Sequence, residues 1–393
     1  MVWGARGSNQ SGVRAHNERL VLTLIRQVGP LAKAEIARMT GLSAQTVSVI
    51  MRSLEADGLL IKSDPVRGKV GQPSVPMRLA RDGAYFLGLK AGRRSLDLVI
   101  VDFRGTVLSR RQVTHRFPSL DTVVGFANEA AAELIAALPA ADQGKVAGMG
   151  IAIPFRLWDW VATLKVDPRD MEDWRTRDLA AEIAAAWQFP IYLQNDASAA
   201  CGAELVFGGT DKPSDFLYFF IGFFVGGGMV LGNALYTGQS GNAGALGPLP
   251  VRDRDGRMVQ LVDIASLNSL ETAMIDQGHA GTMIWDTPTS WEVPEAILDP
   301  WLNQATDGLA QAIYSACCFI DFEAVLIDGW MPEELRAAFV ERTRARVGSV
   351  AWIGVDQPEI REGTIGADAR ALGAASLPLS DTFLVDRNAF LKG

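Results

Sequence analysis

The sequence predicts a chain of two parts: a winged helix-turn-helix, helical with a small β wing, followed by a two-lobed α/β body. Three observations predict it. A short helix, a glycine turn and a second helix succeed one another between Lys33 and Ala56, two sets of strand-like and helix-like segments alternate from Tyr85 onward, and the charge changes sign between the parts. Residues 1–82 hold 12 lysines and arginines against 6 acidic residues, and the rest of the chain holds 25 against 39. The basic part suits a polyanion, which the acidic part would repel.

At 393 residues, 48% of them hydrophobic, the chain exceeds the size at which single cores stop growing, so more than one domain is expected. No stretch of about 18 apolar residues suggests a membrane span, and "MVWGARGSNQSGVRAHNERL" lacks the apolar centre of a secretory signal. The expectation is a cytoplasmic protein with no membrane partner. Three cysteines, Cys201, Cys317 and Cys318, and three histidines, His16, His115 and His279, show no ligand-like spacing. Buried free thiols are expected, with no metal and no cofactor.

In "KAEIARMTGLSAQTVSVIMRSLEADGLL", Lys33 to Thr40 reads as a helix, Gly41-Leu42 as a turn that favours positive φ, and Ser43 to Ala56 as a second helix with Ser43 as N-cap. Val47, Ile50 and Leu54 share one buried face. The strand-like runs "GLLIKSD" and "VPMRLA" flank "PVRGKVGQPS" and would form a wing. On that geometry the second helix enters a DNA major groove, with Ser43, Ala44, Gln45, Thr46 and Ser48 toward its exposed N-terminal part. The Gln45 amide suits the donor and acceptor of adenine. Arg52, Arg67 and Lys69 would hold phosphates and add affinity without sequence information.

From Tyr85, "FLGLKAGRRSLDLVIVDFRGTVLSRRQV" reads as two or three strands, followed by a helix from about Leu120 to Leu138 and a strand in "KVAGMGIAIP". "DLAAEIAAAWQFPIYLQNDASAACGAELVFG" runs helix, strand, helix. A second set begins at "DFLYFFIGFFVGGGMVLGNALYTG" and continues through helices around 261–276 and 298–319, the strand "EAVLIDG" and a last helix in "GADARALGAA". Two similar lobes are implied.

The motifs "GQPSVPMRL", "GLKAG…VDFRGTVL", "GIAIP", "LQNDASAACGAE", "GGGMVLGNALYTGQSGNAGALG" and "IGADARALGAA" recur in the order of one known family. Over nearly its whole length the chain resembles the ROK family (repressors, open reading frames, kinases). The resemblance implies an actin-like, sugar-kinase (ribonuclease H-like) body. It implies sugar-responsive transcription regulators where a helix-turn-helix precedes that body, and sugar kinases where none does.

The same resemblance locates the departures. Kinases of the family open the body with G-x-D-x-G-G-T, matched here by Gly88 to Arg94, with Lys90 in place of the acidic residue and Arg93 and Arg94 beside it. Their second phosphate loop, G-T-G-x-G-G-G, is matched by Gly222 to Gly228, with Phe223 and Phe224 where a hydroxyl donor and a glycine belong. Two benzyl groups obstruct a phosphate and donate nothing, so Gly226 to Gly228 are expected to serve a turn and close strand-to-helix packing. The family's G-E-x-G-H and zinc cysteines are replaced by Gly244-Ala245-Leu246-Gly247-Pro248 and a cysteine-free segment. Asn195 and Asp196 persist; in kinases the matching Asp is the general base and the Asn binds the sugar ring. Here they are candidates for a polyol, with a helix cap as the alternative role for Asp196. Arg156, Trp158 and Trp160 follow the "GIAIP" strand in a loop that lines the cleft in relatives, and Gly244 completes the candidate effector set.

The expected organisation is a DNA-binding domain at 1–82, a first lobe at 83–195 completed by a C-terminal helix in 376–393, and a second lobe at 196–375. The expected function is a transcriptional regulator, a repressor of carbohydrate-related genes, with no catalytic residues. Its partners would be double-stranded operator DNA, a small carbohydrate-like effector and further copies of itself in a homodimer or homotetramer. An active ATP-dependent sugar kinase and a ligand-independent DNA-binding regulator are the alternatives.

Overall fold

The computed structural model describes residues 10–65, 75–115, 117, 119–155, 167, 171–209 and 211–385. The chain opens with α1 (Gln10–Val28), α2 (Lys33–Thr40) and α3 (Ala44–Ala56), then β1 (Leu60–Lys62) and β2 (Met77–Leu79). Gly41 ends α2 at φ 73°, where an L side chain is strained, and its N–H donates to the Ala37 carbonyl. The Ser43 side chain accepts from the Thr46 N–H at 3.1 Å and caps α3. Val47, Ile50, Met51 and Leu54 of α3 are buried, as are Val21, Leu22 and Ile25 of α1, which packs on both other helices. The sequence reading assigned no element to α1. β1 and β2 pair antiparallel, Leu60 opposite Leu79, and form the strands of the expected wing. Its Arg67 and Lys69 lie outside the described residues.

A five-stranded sheet follows, built from β3 (Tyr85–Ala91), β4 (Ser95–Val101), β5 (Val107–Thr114), β6 (Val146–Ile153) and β7 (Ile191–Asn195), with α4 (Leu120–Ala136), α5 (Glu172–Thr176) and α6 (Leu179–Ala184) in the intervening chain. The strand order is β5-β4-β3-β6-β7; β3 runs antiparallel to β4 and parallel to β6. Both faces of β3 and β4 are buried, which explains their near-continuous apolar runs. One face covers α4 through Leu120, Val123, Ala127 and Leu134, packed with Leu87, Leu89, Leu98 and Ile151.

The pattern then repeats. α7 (Asp196–Phe207) precedes β8 (Phe216–Ile221), β9 (Gly226–Leu231) and β10 (Ala234–Tyr236). A small hairpin of β11 (Pro250–Arg252) and β12 (Met258–Gln260) leads to α8 (Leu261–Ala265), α9 (Leu267–Asp276) and α10 (Glu295–Cys317). β13 (Ala324–Gly329), α11 (Glu333–Gly348), β14 (Glu359–Glu362) and α12 (Ala369–Phe383) are the last elements of the described residues. The second sheet, β10-β9-β8-β13-β14, repeats the order of the first, with two antiparallel pairs on one side of its central strand, β8, and a parallel pair on the other, as around β3. This repeated plan is that of the actin-like, sugar-kinase fold.

Two expectations need correction. Gly226–Gly228 lie inside β9, and the bend precedes them at residues 222–224. The close helix packing is present, since a Cβ on Gly226 or Gly228 would sit 2.7 Å from the Cβ of Ala197 or Cys201 on α7. Cys201 and Cys317 are buried free thiols, but Cys318 is exposed because α10 ends at Cys317 and the chain turns outward there.

The chain divides into two compact units, one of Met1–Gln194 with Ala374–Gly393 and one of Asn195–Gly373. In the first, α12 lies directly on β6: a Cβ at Gly150 would approach the Ala374 carbonyl oxygen to 1.8 Å, and one at Gly148 would approach Pro378 Cβ to 2.6 Å. In the second, a Cβ at Gly373 would meet the Ala199 carbonyl oxygen of α7 at 1.9 Å. Gly150→Ala is therefore expected to destabilise the protein by roughly 3 kcal/mol in chemical denaturation. Gly144→Ala, which meets nothing within 4 Å, is expected to stay within about 0.5 kcal/mol of the parent.

Candidate functional site

The exposed face of α3 lies opposite its buried one. Ala44, Gln45 and Arg52 are exposed, and Ser48 is half-buried between them. At 100° per residue these four positions fall on one side of the helix. Among the described residues the Gln45 side chain has no hydrogen-bond partner, which leaves its amide for a ligand; Arg52 Nε donates to the Ser48 carbonyl at 3.2 Å, which orients the guanidinium along the same face. Ser43 and Thr46 are committed to the cap, with their hydroxyl oxygens 2.8 Å apart. The sequence reading passed over Val49, 46% exposed one turn beyond Gln45. A β-branched apolar residue there gains neither burial nor helix propensity, and that is the signal that marks it.

The second unit starts at Asn195, the last residue of β7, and α7 begins at Asp196. Asn195, not Asp196, caps α7: its Oδ1 accepts from the N–H groups of Ala197 at 3.0 Å and Ser198 at 3.2 Å, sharing the first donor with Asp196 Oδ1. The cap role weighed for Asp196 moves one residue back because Asn195 has the non-helical backbone, ψ 137°, that precedes a first turn. Asp196 Oδ2 faces the Arg370 guanidinium at 3.6 Å, both side chains mostly buried. The Arg370 guanidinium also lies over the Phe220 ring, 4.8 Å from its centroid. Gly244 sits at φ 76°, where a Cβ would be 2.8 Å from Gly228 Cα, so its glycine identity is required by backbone packing on β9. Arg156, Trp158 and Trp160 lie outside the described residues.

The two segments matching phosphate loops have other partners. Lys90 is buried in β3, its Nζ donating to Ser95 Oγ at 2.9 Å, and it stands opposite Asp97 in the register of β3 and β4. In the bend after β8, Phe223 is buried, its ring 4.9 Å from Phe224 and 5.6 Å from Trp285. The Val225 N–H donates to Ser266 Oγ at 2.9 Å, and the carbonyls of Gly222 and Phe223 accept from Leu267 and Asn268.

A cavity of about 390 Å³ in the second unit is lined by Arg252, Asp307, Gln311 and Arg346 among others, and by none of the sequence-predicted effector residues. Two of its charges are paired, Arg346 Nε lying 2.7 Å from Asp307, and Arg252 donates to the Gly256 carbonyl at 2.8 Å. Among the described residues no cluster of three or more His, Cys, Asp or Glu side chains has a metal-binding arrangement, and no helix is long and apolar enough to cross a membrane. Replacing either cap, in Ser43→Ala or Asn195→Ala, is expected to cost about 1 kcal/mol, read by denaturation.

Comparison with known proteins agrees with both halves of the chain. Residues 14–69 match the MarR family and residues 86–380 match the ROK family. The uncharacterized protein y4fQ of Sinorhizobium fredii is 27% identical over 93% of this chain and 91% of its own. The xylose repressor of Bacillus subtilis is 25% identical, the match spanning 62% of either chain. Among solved structures, a ROK family transcriptional regulator, homolog of the E. coli MLC protein, superposes with TM-score 0.65 at 20% identity over 94% of this chain and 97% of that one. A ROK family glucokinase from Streptomyces griseus, in complex with glucose and AMPPNP, gives 0.57 at 19% identity over 75% of this chain and 99% of that one. With the repeated sheet order, the glycine contacts and a match over residues 86–380, the chain belongs to the ROK family.

Proposed function

We propose that this protein is a DNA-binding, sugar-responsive transcription regulator, a repressor acting in the cytoplasm, whose body senses a carbohydrate-like effector without phosphorylating it. The observation that carries this reading is α3, capped at Ser43, packed through Val47, Ile50 and Leu54, and presenting Gln45, Ser48, Val49 and Arg52 outward. That is the geometry of a recognition helix behind a wing. Gln45 reads adenine, the Val49 methyls meet a thymine methyl, and Arg52 binds phosphate, with Arg67 and Lys69 of the wing adding backbone contacts. The match to a xylose repressor supports a regulator of the same kind.

Asn195 and Asp196 are the effector-binding residues of this reading, with Gly244 of the same unit, and Arg156 and Trp158 are the further candidates that the sequence offers. Effector binding shifts the population between two arrangements of the body and so alters operator affinity. A symmetric homodimer or homotetramer presents two heads to two half-sites.

Asp196 at a strand end favours the kinase reading, but the phosphate side opposes it. The Val225 donor is taken by Ser266, Phe223 fills the bend, and Lys90 stands where a metal-binding acid is needed. Calorimetric titration is expected to show no MgATP binding below about 1 mM, an affinity weaker than roughly −4 kcal/mol; a tight isotherm would restore the kinase.

On an operator selected in vitro, Gln45→Ala is expected to weaken specific binding about tenfold and to leave scrambled DNA unchanged. Arg52→Ala is expected to weaken both DNAs alike and to lower the salt slope by about one. Val49→Ala and replacement of a contacted thymine by uracil should each cost a few-fold in affinity, and together no more than either alone. Full additivity would remove Val49 from base reading.

A further inference from the structure

The cavity of about 390 Å³ is bordered by three elements of the second unit: the β11–β12 hairpin, α10, and α11 with the residues just after it. The hairpin is held firmly. Asp253 Oδ1 accepts from the N–H groups of Asp255 at 2.9 Å and Arg257 at 2.8 Å, which closes the turn. Gln311 of α10 grips Arg252 at two points, its Oε1 accepting from the Arg252 N–H at 2.8 Å and its Nε2 donating to the Arg252 carbonyl at 3.0 Å. Two bonds to one residue fix orientation as well as distance, so Arg252 and Arg254 reach the cavity from an ordered backbone.

The opposite wall is ordered too. Asp299, Asn303 and Asp307 recur every fourth residue and share one face of α10. Arg342 of α11 meets Asp299 at 2.6 Å, and Arg346 meets Asp307 at 2.7 Å through Nε and Asn303 at 3.4 Å through Nη2. Arg346 Nη1 has no hydrogen-bond partner among the described residues.

The cavity differs from its surroundings in what is left uncommitted. Arg257 and Arg342 nearby are matched by Asp255 at 3.0 Å and by Asp299. Within the cavity, Arg254 has neither ion pair nor hydrogen bond among the described residues, and Arg252 commits one guanidinium N–H, to the Gly256 carbonyl. Of the two lining carboxylates, Asp307 is taken by Arg346 and Asp253 by the turn. Gln304, half-buried on the α10 wall, also has no hydrogen-bond partner among the described residues. Donors from three guanidinium groups therefore converge on one space, which calls for an oxyanion. A planar carboxylate presents its two oxygens in one direction. A phosphoryl group presents three around a tetrahedron and can meet the hairpin and α11 together. The volume lies in the range of small-molecule sites, about 300–1,000 Å³, and leaves room for a remainder of sugar size beside Gln304.

We propose that this cavity binds a small phosphate monoester of monosaccharide size, with Arg252, Arg254 and Arg346 on the phosphoryl oxygens and Gln304 on a hydroxyl of the remainder. The site shares no residue with Asn195, Asp196 and Gly244, and it does not depend on the regulator reading.

The test is calorimetric titration of the full-length protein at low ionic strength with D-glucose 6-phosphate and inorganic phosphate. The ester is expected to bind with a dissociation constant below about 1 mM and inorganic phosphate about tenfold more weakly. Arg254→Ala gives up no contact of the folded protein and is expected to weaken both probes about tenfold, with Arg254→Lys recovering part of the loss. Gln304→Ala is expected to weaken the ester a few-fold and leave inorganic phosphate unchanged. Asp196→Asn is expected to change neither. Absence of binding for both probes, or affinities that Arg254→Ala leaves unchanged, would overturn the site. Ester binding no tighter than that of inorganic phosphate would overturn the ester as its ligand. Ester binding lost in Asp196→Asn and kept in Arg254→Ala would place the ester at Asp196 and overturn the proposal while leaving the effector residues standing.

Discussion

The body depends on one constraint: α12 and α7 must touch backbone rather than side chains. Gly150 meets the Ala374 carbonyl, Gly373 meets the Ala199 carbonyl, and Gly226 and Gly228 meet Ala197 and Cys201. Each contact removes a side chain so that a helix approaches a strand or another helix at close range. The alanine- and glycine-rich composition of "GADARALGAA" and "NDASAACGAE" follows from that proximity rather than from helix propensity, since glycine within a helix opposes it. Side chains of ordinary size would push α12 off β6 and move everything anchored to its far end.

What the sequence made legible follows the same physics. Strong local signals were read directly: the Gly41 turn, the Ser43 cap, the buried stripe of α3 and the apolar runs of β3, β8 and β13 are each set by residues a few positions apart. The lobe repeat was also legible, because turn residues separate its strands. α1 was not, since most of its apolar residues crowd into one run, Leu20 to Ile25, and its neighbours in space are α2 and α3. Gly226–Gly228 read as a turn because glycine triplets usually are; only the contact with α7 explains glycines inside a strand. Long-range partners such as Arg370 for Asp196 and Val385 for Thr23 leave no local trace.

The bend after β8 shows how the end of a sheet can take other partners while its strands keep their pairing. A phosphate loop offers unpaired N–H groups at close range, whereas the bend after β8 has paired its Val225 N–H with Ser266 and closed over Phe223. Nothing in the sheets has to change for this, because β8 and β9 pair in regular register up to Phe220 opposite Gly226. The sheet is fixed by backbone pairing, so the bend at its end is free to vary.

The largely buried guanidinium of Arg26 on α1 lies over the Phe103 ring, 5.5 Å from its centroid. Thr23 and Arg26 of α1 are tied to Val385 and Phe103, Arg104 donates to the Leu79 carbonyl of the wing strand, and Gly83 lies against the Gly58 carbonyl. The winged head and the first sheet are therefore joined by a shared seam, not by a tether. A graft that exchanged heads at residue 82 would sever that seam and strand a buried cation; one that carried the β4–β5 turn and the tail of α12 along with the head would keep it whole.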